Sequence, residues 1–251
     1  MQANLIKYEV RNIFGNFFIP LFGIAMPIFM GILIPKGIVG QVPEAFQDEV
    51  TLSIVLGMSI MIPMCVGLIG YAASYAQELE KKIPLRFKLF GISNRKFIAT
   101  KLIGQMIVVT ITLVIYFITM HFVHGIRPAN LMGTLIYFFF IYFFTICFLM
   151  ISHAVADMIG KFGPTYAVIM ILYFFLLFIS GNMGLRYENF PKILQRLADV
   201  IPLTHFGGSS SNIWQNSLSN YGELIQSSLT LFIIACLLLL WSTFRKNKTY
   251  N

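Results

Sequence analysis

Charged side chains are scarce in this 251-residue chain: Asp, Glu, Lys and Arg make up 11% of it, against about a quarter in a soluble domain. With so little charge and 57% hydrophobic residues, a water-soluble globular domain is excluded and the chain belongs in a bilayer. No Gly-x-x-x-x-Gly-Lys-Ser/Thr phosphate loop occurs, which excludes ATP hydrolysis by the usual P-loop route. Cysteine is equally sparse. Cys65, Cys147 and Cys236 each sit in a long apolar run, without the close pairing that a zinc site or a disulfide framework needs, and read as small buried apolar residues. No Asp, Glu, Lys or Arg stands in the middle of an apolar run, which argues against a proton- or ion-coupled carrier built on a buried charge. The acidic residues are expected in loops. His153 and Asp157 lie one helical turn apart, but no third ligand is evident. The side-chain sets of an intramembrane protease or lipid transferase are missing.

The formal charge of +8 does not point to nucleic acid, because the basic residues fall between apolar runs without the interleaved aromatics of a strand-binding groove. The first run follows Lys7 and Arg11 and passes through Ile34, Pro35 and Lys36 with no small-residue cleavage site. It reads as a span rather than a cleaved leader.

What is present in quantity is apolar length. A helix needs about 20 apolar residues to cross a hydrocarbon core of about 30 Å. Runs at 17–34, 52–73, 102–123, 131–152, 165–183 and 224–244 qualify. The expected fold is all-α: one polytopic domain over 1–251 with six transmembrane helices. With both termini inside, only Lys36, Arg127, Arg186, Lys192 and Arg196 fall outside, so the positive-inside rule predicts cytoplasmic ends. Leu5, Ile6, Val10, Ile13 and Phe14 share one side of a helical wheel away from Lys7 and Arg11, the pattern of an N-terminal helix lying in the interface.

The loop after the second run carries Glu78 and Glu80, then Lys81, Lys82, Arg86 and Lys88. Leu79, Ile83, Phe87 and Phe90 in it are spaced as one apolar helical face. A short amphipathic helix over about 78–91 follows, which Gly91 can end and after which Ser93 or Asn94 can cap the third span. Glu78, Glu80, Lys81, Arg86, Ser93 and Arg95 resemble the Glu-x-Glu, basic run and Ser-x-Arg found before the third span in permease subunits of type-two ABC transporters, the exporter class. Lys82-Ile83 replaces the usual Gly-Thr, and Gly91 stands where Pro is common. The resemblance implies a coupling helix seated on an ATPase, with Glu78, Glu80, Lys81, Arg86 and Phe87 as coupling residues.

A second matching segment lies between the last two spans, over about 186–222. Phe190, Ile193, Leu194, Leu197 and Ile201 mark a helical face that Asn189 can cap and Pro202 should stop. It is similar to the outer helices that in relatives cover the mouth of the path, and this likeness makes Phe190, Pro191, Leu194, Leu197 and Pro202 outer-gate residues. In the second span Met58, Met61, Cys65 and Leu68 form a stripe suited to varied apolar cargo, of which Met58, Met61 and Cys65 are the candidate path residues, and Pro63 should kink that span.

The resemblance therefore implies a permease half in a bacterial plasma membrane. It would pair with a second half, identical or paralogous, and with two copies of an ATPase subunit that carry ATP and magnesium. No cofactor is expected in this chain, and membrane lipid but not nucleic acid surrounds it. The cargo would be hydrophobic or amphipathic, such as a peptide, drug or lipid-like molecule, moved outward. The small size and short outer segments look most like bacterial peptide or drug exporters. An intramembrane enzyme, or an immunity or sensor protein without transport, is the alternative.

Overall fold

The computed structural model describes residues 2–15, 19–128, 130–181, 190–217 and 220–249. Six helices among them are long and apolar enough to cross a membrane: Ile19–Val39, Glu44–Glu80, Asn94–His124, Leu131–Ile159, Phe162–Ile179 and Gly222–Arg245. The protein is all-α and polytopic, as its six apolar runs predict. An amphipathic helix α1 (Gln2–Gly15) leads to the first span, which is π-helical over Ile19–Ala25 and continues as α2 (Met26–Val39). The second span comprises α3 (Gln47–Ser59), a π-helical stretch Pro63–Gly70 and α4 (Tyr71–Glu80). A short α5 (Ile83–Leu89) precedes the third span, α6 (Asn94–His124). The fourth and fifth spans are α7 (Leu131–Ile159) and α8 (Phe162–Ile179). Then come α9 (Lys192–Val200), α10 (Pro202–Trp214) and α11 (Gly222–Thr249), which holds the sixth span. Six alternating spans bring α1, α5 and the end of α11 to one end of the bundle, the basal end, and α9 and α10 to the other, the distal end.

The second span is the hub, with α2, α6, α7, α8 and α10 packed around it. Pro63 has no N–H to donate to the Ser59 carbonyl. The expected kink takes the form of a π-helical stretch, in which hydrogen bonds reach one residue further back. An unpartnered peptide group costs several kcal/mol in hydrocarbon, so neighbouring helices must supply donors. Tyr116 donates to the Val55 carbonyl at 2.7 Å and Tyr137 to that of Leu56 at 2.8 Å. Gln105 donates to the Val66 carbonyl, and Ser152 reaches those of Gly67 at 3.0 Å and Leu68 at 2.8 Å. The same device recurs in the first span: Pro35 frees the Gly31 carbonyl, and His124 Nε2 donates to it at 3.0 Å. The two π-helical stretches touch through glycine. A Cβ at Gly70 would lie 2.7 Å from Ile19 Cγ1, and one at Gly23 2.8 Å from Val66 Cγ2.

The third, fourth and sixth spans turn large apolar side chains outward, among them Ile107, Val114, Ile118, Leu135, Phe139, Leu229 and Leu237, as a lipid-facing surface requires. At the basal end polar ties hold spans two, four and six together. Tyr71 Oη lies 2.8 Å from His153 Nδ1, and Tyr75 donates to Asp157 at 3.1 Å. Ser242 also reaches Asp157, at 3.5 Å. His153 and Asp157 thus hold the bundle together through tyrosine hydroxyls.

Candidate coupling and translocation site

The basal loop departs from a single helix over 78–91. Residues Glu78 and Glu80 close α4, at the end of the second span, and Lys82 turns the chain at φ 54° before α5 begins. Pro84 explains the break, because its ring would clash with the carbonyl of Glu80 if one helix ran through. At the other end Gly91 adopts φ 79°, and Ser93 Oγ accepts the Lys96 N–H to cap α6. The inner face of α5 holds Ile83 and Phe87, whose ring lies 5.3 Å from that of Phe97. Its outer face shows Leu85 and Arg86, and Leu89 and Phe90 are each 81% exposed. Phe90 therefore lies outside the apolar face to which its spacing assigns it. Glu80 accepts the Phe162 N–H at 3.0 Å and so joins the end of the second span to the start of the fifth.

Glu78 is not at the surface. It is 5% exposed, and its carboxylate lies 2.9 Å from Lys101 Nζ, itself 1% exposed. Lys101 also pairs with Glu9 at 2.6 Å, and Asn12 donates to Glu78 at 3.2 Å. α1, α4 and α6 therefore meet at a buried Glu9–Lys101–Glu78 triad. This corrects the expectation that the acidic residues lie in loops: Glu9 stands in α1 and Glu78 in α4, and both are buried. Gly104 admits the contact, since a Cβ there would lie 2.8 Å from Glu9 Cγ.

Of the proposed path residues, Met58 and Met61 line a groove of about 680 Å³ between spans one, two and five. Met26 and Met30 face it from the first span and Met170 from the fifth. Cys65 is not part of this wall. It is buried and donates to Tyr173 Oη at 3.4 Å, because the wider π turn rotates later side chains away from the phase of an α-helical stripe. Ile69, rather than Leu68, lines the groove beyond it.

The distal end of the groove meets α10, which presents Gly207 and Gly208 to it. Pro202 does end α9, as expected, but it also opens α10 at one of its first positions, where a missing N–H is harmless. α10 is held by Phe206 against Tyr137, Phe140 and Phe144. Trp214 stacks on Phe117 and donates to the Arg127 carbonyl at 3.0 Å. The expected gate residues lie beside the groove rather than in it. Phe190 is buried and stacks on Phe178, Pro191 stands at the start of α9, and Leu194 is half-buried. Ile193 and Leu197 point outward, while Ala198 supplies the packed face. Asn189, the expected cap, lies outside the described residues, as does part of 186–222.

Residues 41–244 match the family model described as "ABC-2 family transporter protein". The chain belongs to that family. It is a multi-pass membrane permease of an ABC transporter, and association with an ATPase subunit follows from the family. No curated protein and no solved structure matches the chain. The match covers the ABC-2 permease from just before its second span to the end of its sixth, so the central hub, the basal loop and α10 all lie within it.

Within this permease the structure brings Glu80, Lys81, Arg86 and Phe87 to the basal loop, and Met58 and Met61 to the groove. It withdraws Glu78 and Cys65 to buried contacts. Leu89 and the Glu9–Lys101 pair escaped the sequence reading, and Phe90, which the spacing puts on the packed face, is exposed instead. A negative charge on the apolar side of α1 was the available signal for Glu9, and the interruption by Pro84 was the signal for the shift of α5.

Proposed function

We propose that this permease is one half of the membrane part of an exporter of hydrophobic or amphipathic cargo, paired with a second half and driven by two ATPase subunits at its basal, cytoplasmic end. The observation that carries the reading is the methionine-lined groove between spans one, two and five, which α10 overhangs at its distal end. Methionine is flexible and polarizable, and such a wall accommodates apolar shapes of different outline. Exposed Leu89 and Phe90, with Arg86 and Lys88 on the same short helix, suit an apolar anchor ringed by charge for the ATPase. Glu80 gives that contact a route into the fifth span, and Phe87 a route into the third. Nucleotide-driven movement of α5 would then shift the groove walls as rigid helices. The small size and short outer segments resemble bacterial peptide and drug exporters, the phenol-soluble modulin exporter among them, which favours an amphipathic peptide as cargo.

The test is export by the permease–ATPase complex in vesicles after Met58→Trp and Met61→Trp, which fill the groove. Peptide export should fall to below about a tenth while the ATPase remains bound. Export at the unmodified rate, with both tryptophans in place and the protein folded, would exclude the groove as the path.

A further inference from the structure

Beside the Glu9–Lys101–Glu78 triad, a pocket of about 550 Å³ opens between α1, the end of α4 and the start of α5. Its back wall is already engaged. Glu78 is held by Lys101 and Asn12, and the Ser74 hydroxyl donates to the Tyr71 carbonyl at 3.1 Å. Its mouth carries Arg11, Lys81, Tyr8 and Gln77, and none of these four side chains has a hydrogen bond or ion pair to another described residue. Each of the four can donate hydrogen bonds, and two are permanent cations.

Charge points to the same class of ligand. The triad sets two carboxylates against one ammonium, and Arg11 and Lys81 turn that deficit into a surplus of one positive charge. A monoanion with several acceptor oxygens meets both conditions, and guanidinium matches a phosphate with two parallel hydrogen bonds. The pocket also lies level with the ends of the spans, on an amphipathic helix whose Tyr8 is half-exposed next to its cations. Basic pockets between helices at that depth take phospholipid headgroups, and tyrosine favours the same layer. We propose that this pocket binds a phosphate group, supplied by the headgroup of an anionic phospholipid.

Native mass spectrometry of the purified 251-residue chain tests it, with phosphatidylglycerol, phosphatidylcholine and inorganic phosphate as probes. Phosphatidylglycerol should be retained over phosphatidylcholine. Arg11→Ala and Lys81→Ala should each weaken retention about fivefold and the pair about 25-fold, with Arg11→Lys losing less. Lys88→Ala, in the same basal loop but outside the pocket, should retain lipid as the parent does. Retention of inorganic phosphate, lost in the double variant, with no preference between the lipids would keep the phosphate site and reject lipid as its source. A double variant indistinguishable from the parent with all three probes would overturn the site. The readout is ligand retention by the chain alone, so its failure leaves the transport reading untouched.

Discussion

Lys101 Nζ lies 2.6 Å from Glu9 Oε1, and the two residues are 92 positions apart in the chain. The pair ties the N-terminal helix to the third span, and Glu78 adds the second span to the same ammonium. Movement of α1 is thereby coupled to the helix that leads straight into the basal loop.

Replacing Lys101 by Met should leave two buried carboxylates facing one another and destabilise the protein by about 3–5 kcal/mol, the usual cost of breaking a buried pair from one side. A fall in the denaturant midpoint of the detergent-solubilised protein measures it. The triple variant Lys101→Met, Glu9→Gln, Glu78→Gln removes all three charges and should recover most of the loss. A single variant as stable as the parent would show that the triad contributes nothing to holding α1.

Gly133 sits where the fourth span passes the end of α10. A Cβ there would lie 2.5 Å from the Ile213 carbonyl oxygen and 2.9 Å from the Asn216 nitrogen, and backbone atoms cannot rotate out of the way. Gly133→Ala should cost about 1–3 kcal/mol by overpacking and lift the end of α10 off Phe117. The chain has two tryptophans, so in a Trp241→Phe background the emission of Trp214 should shift to the red. An unshifted spectrum would mean that α10 accommodates the methyl group in place.

At the basal loop, Leu89→Ala with Phe90→Ala should lower co-purification of the ATPase at least about tenfold, as loss of a central apolar anchor does, with membrane insertion unchanged. Glu78→Lys should behave differently, because it sets a second cation against Lys101 and lowers the yield of folded permease before any partner is added. Full ATPase recovery by the Leu89/Phe90 double variant would remove this tip from the contact.

Orientation is checked with single cysteines on exposed helices of the two ends. A cysteine at Lys88 should resist an impermeant thiol reagent in intact cells, and one at Arg196 should react. The reverse pattern would invert the topology and place the ATPase contact elsewhere.

The spans were legible because the bilayer demands runs of about 20 apolar residues, and nothing else in the chain resembles them. The triad was not, since Lys101 and Glu9 stand 92 positions apart and no local pattern joins them. α10 falls within the outer helical segment expected over about 186–222, but its own bounds were hidden for another reason. Its Gly207-Gly208-Ser209-Ser210-Ser211 stretch is a poor helix former, and burial of Phe206, Ile213 and Trp214 overrides that preference. The path stripe was read at α-helical phase, so Met58 and Met61 fell on the groove and Cys65, inside the π-helical stretch, did not.

The polar side chains around the second span also set an order of events during synthesis. The carbonyls of Val55, Leu56, Val66, Gly67 and Leu68 leave the ribosome well before Gln105, Tyr116, Tyr137 and Ser152 exist. Until the fourth span has been made, the second span lacks the partners that satisfy its distorted turns in hydrocarbon. It must wait beside the insertion machinery, or in contact with water, for partners encoded 39 to 85 positions downstream. A nascent chain arrested before Tyr137 therefore holds its most buried helix in its least finished state.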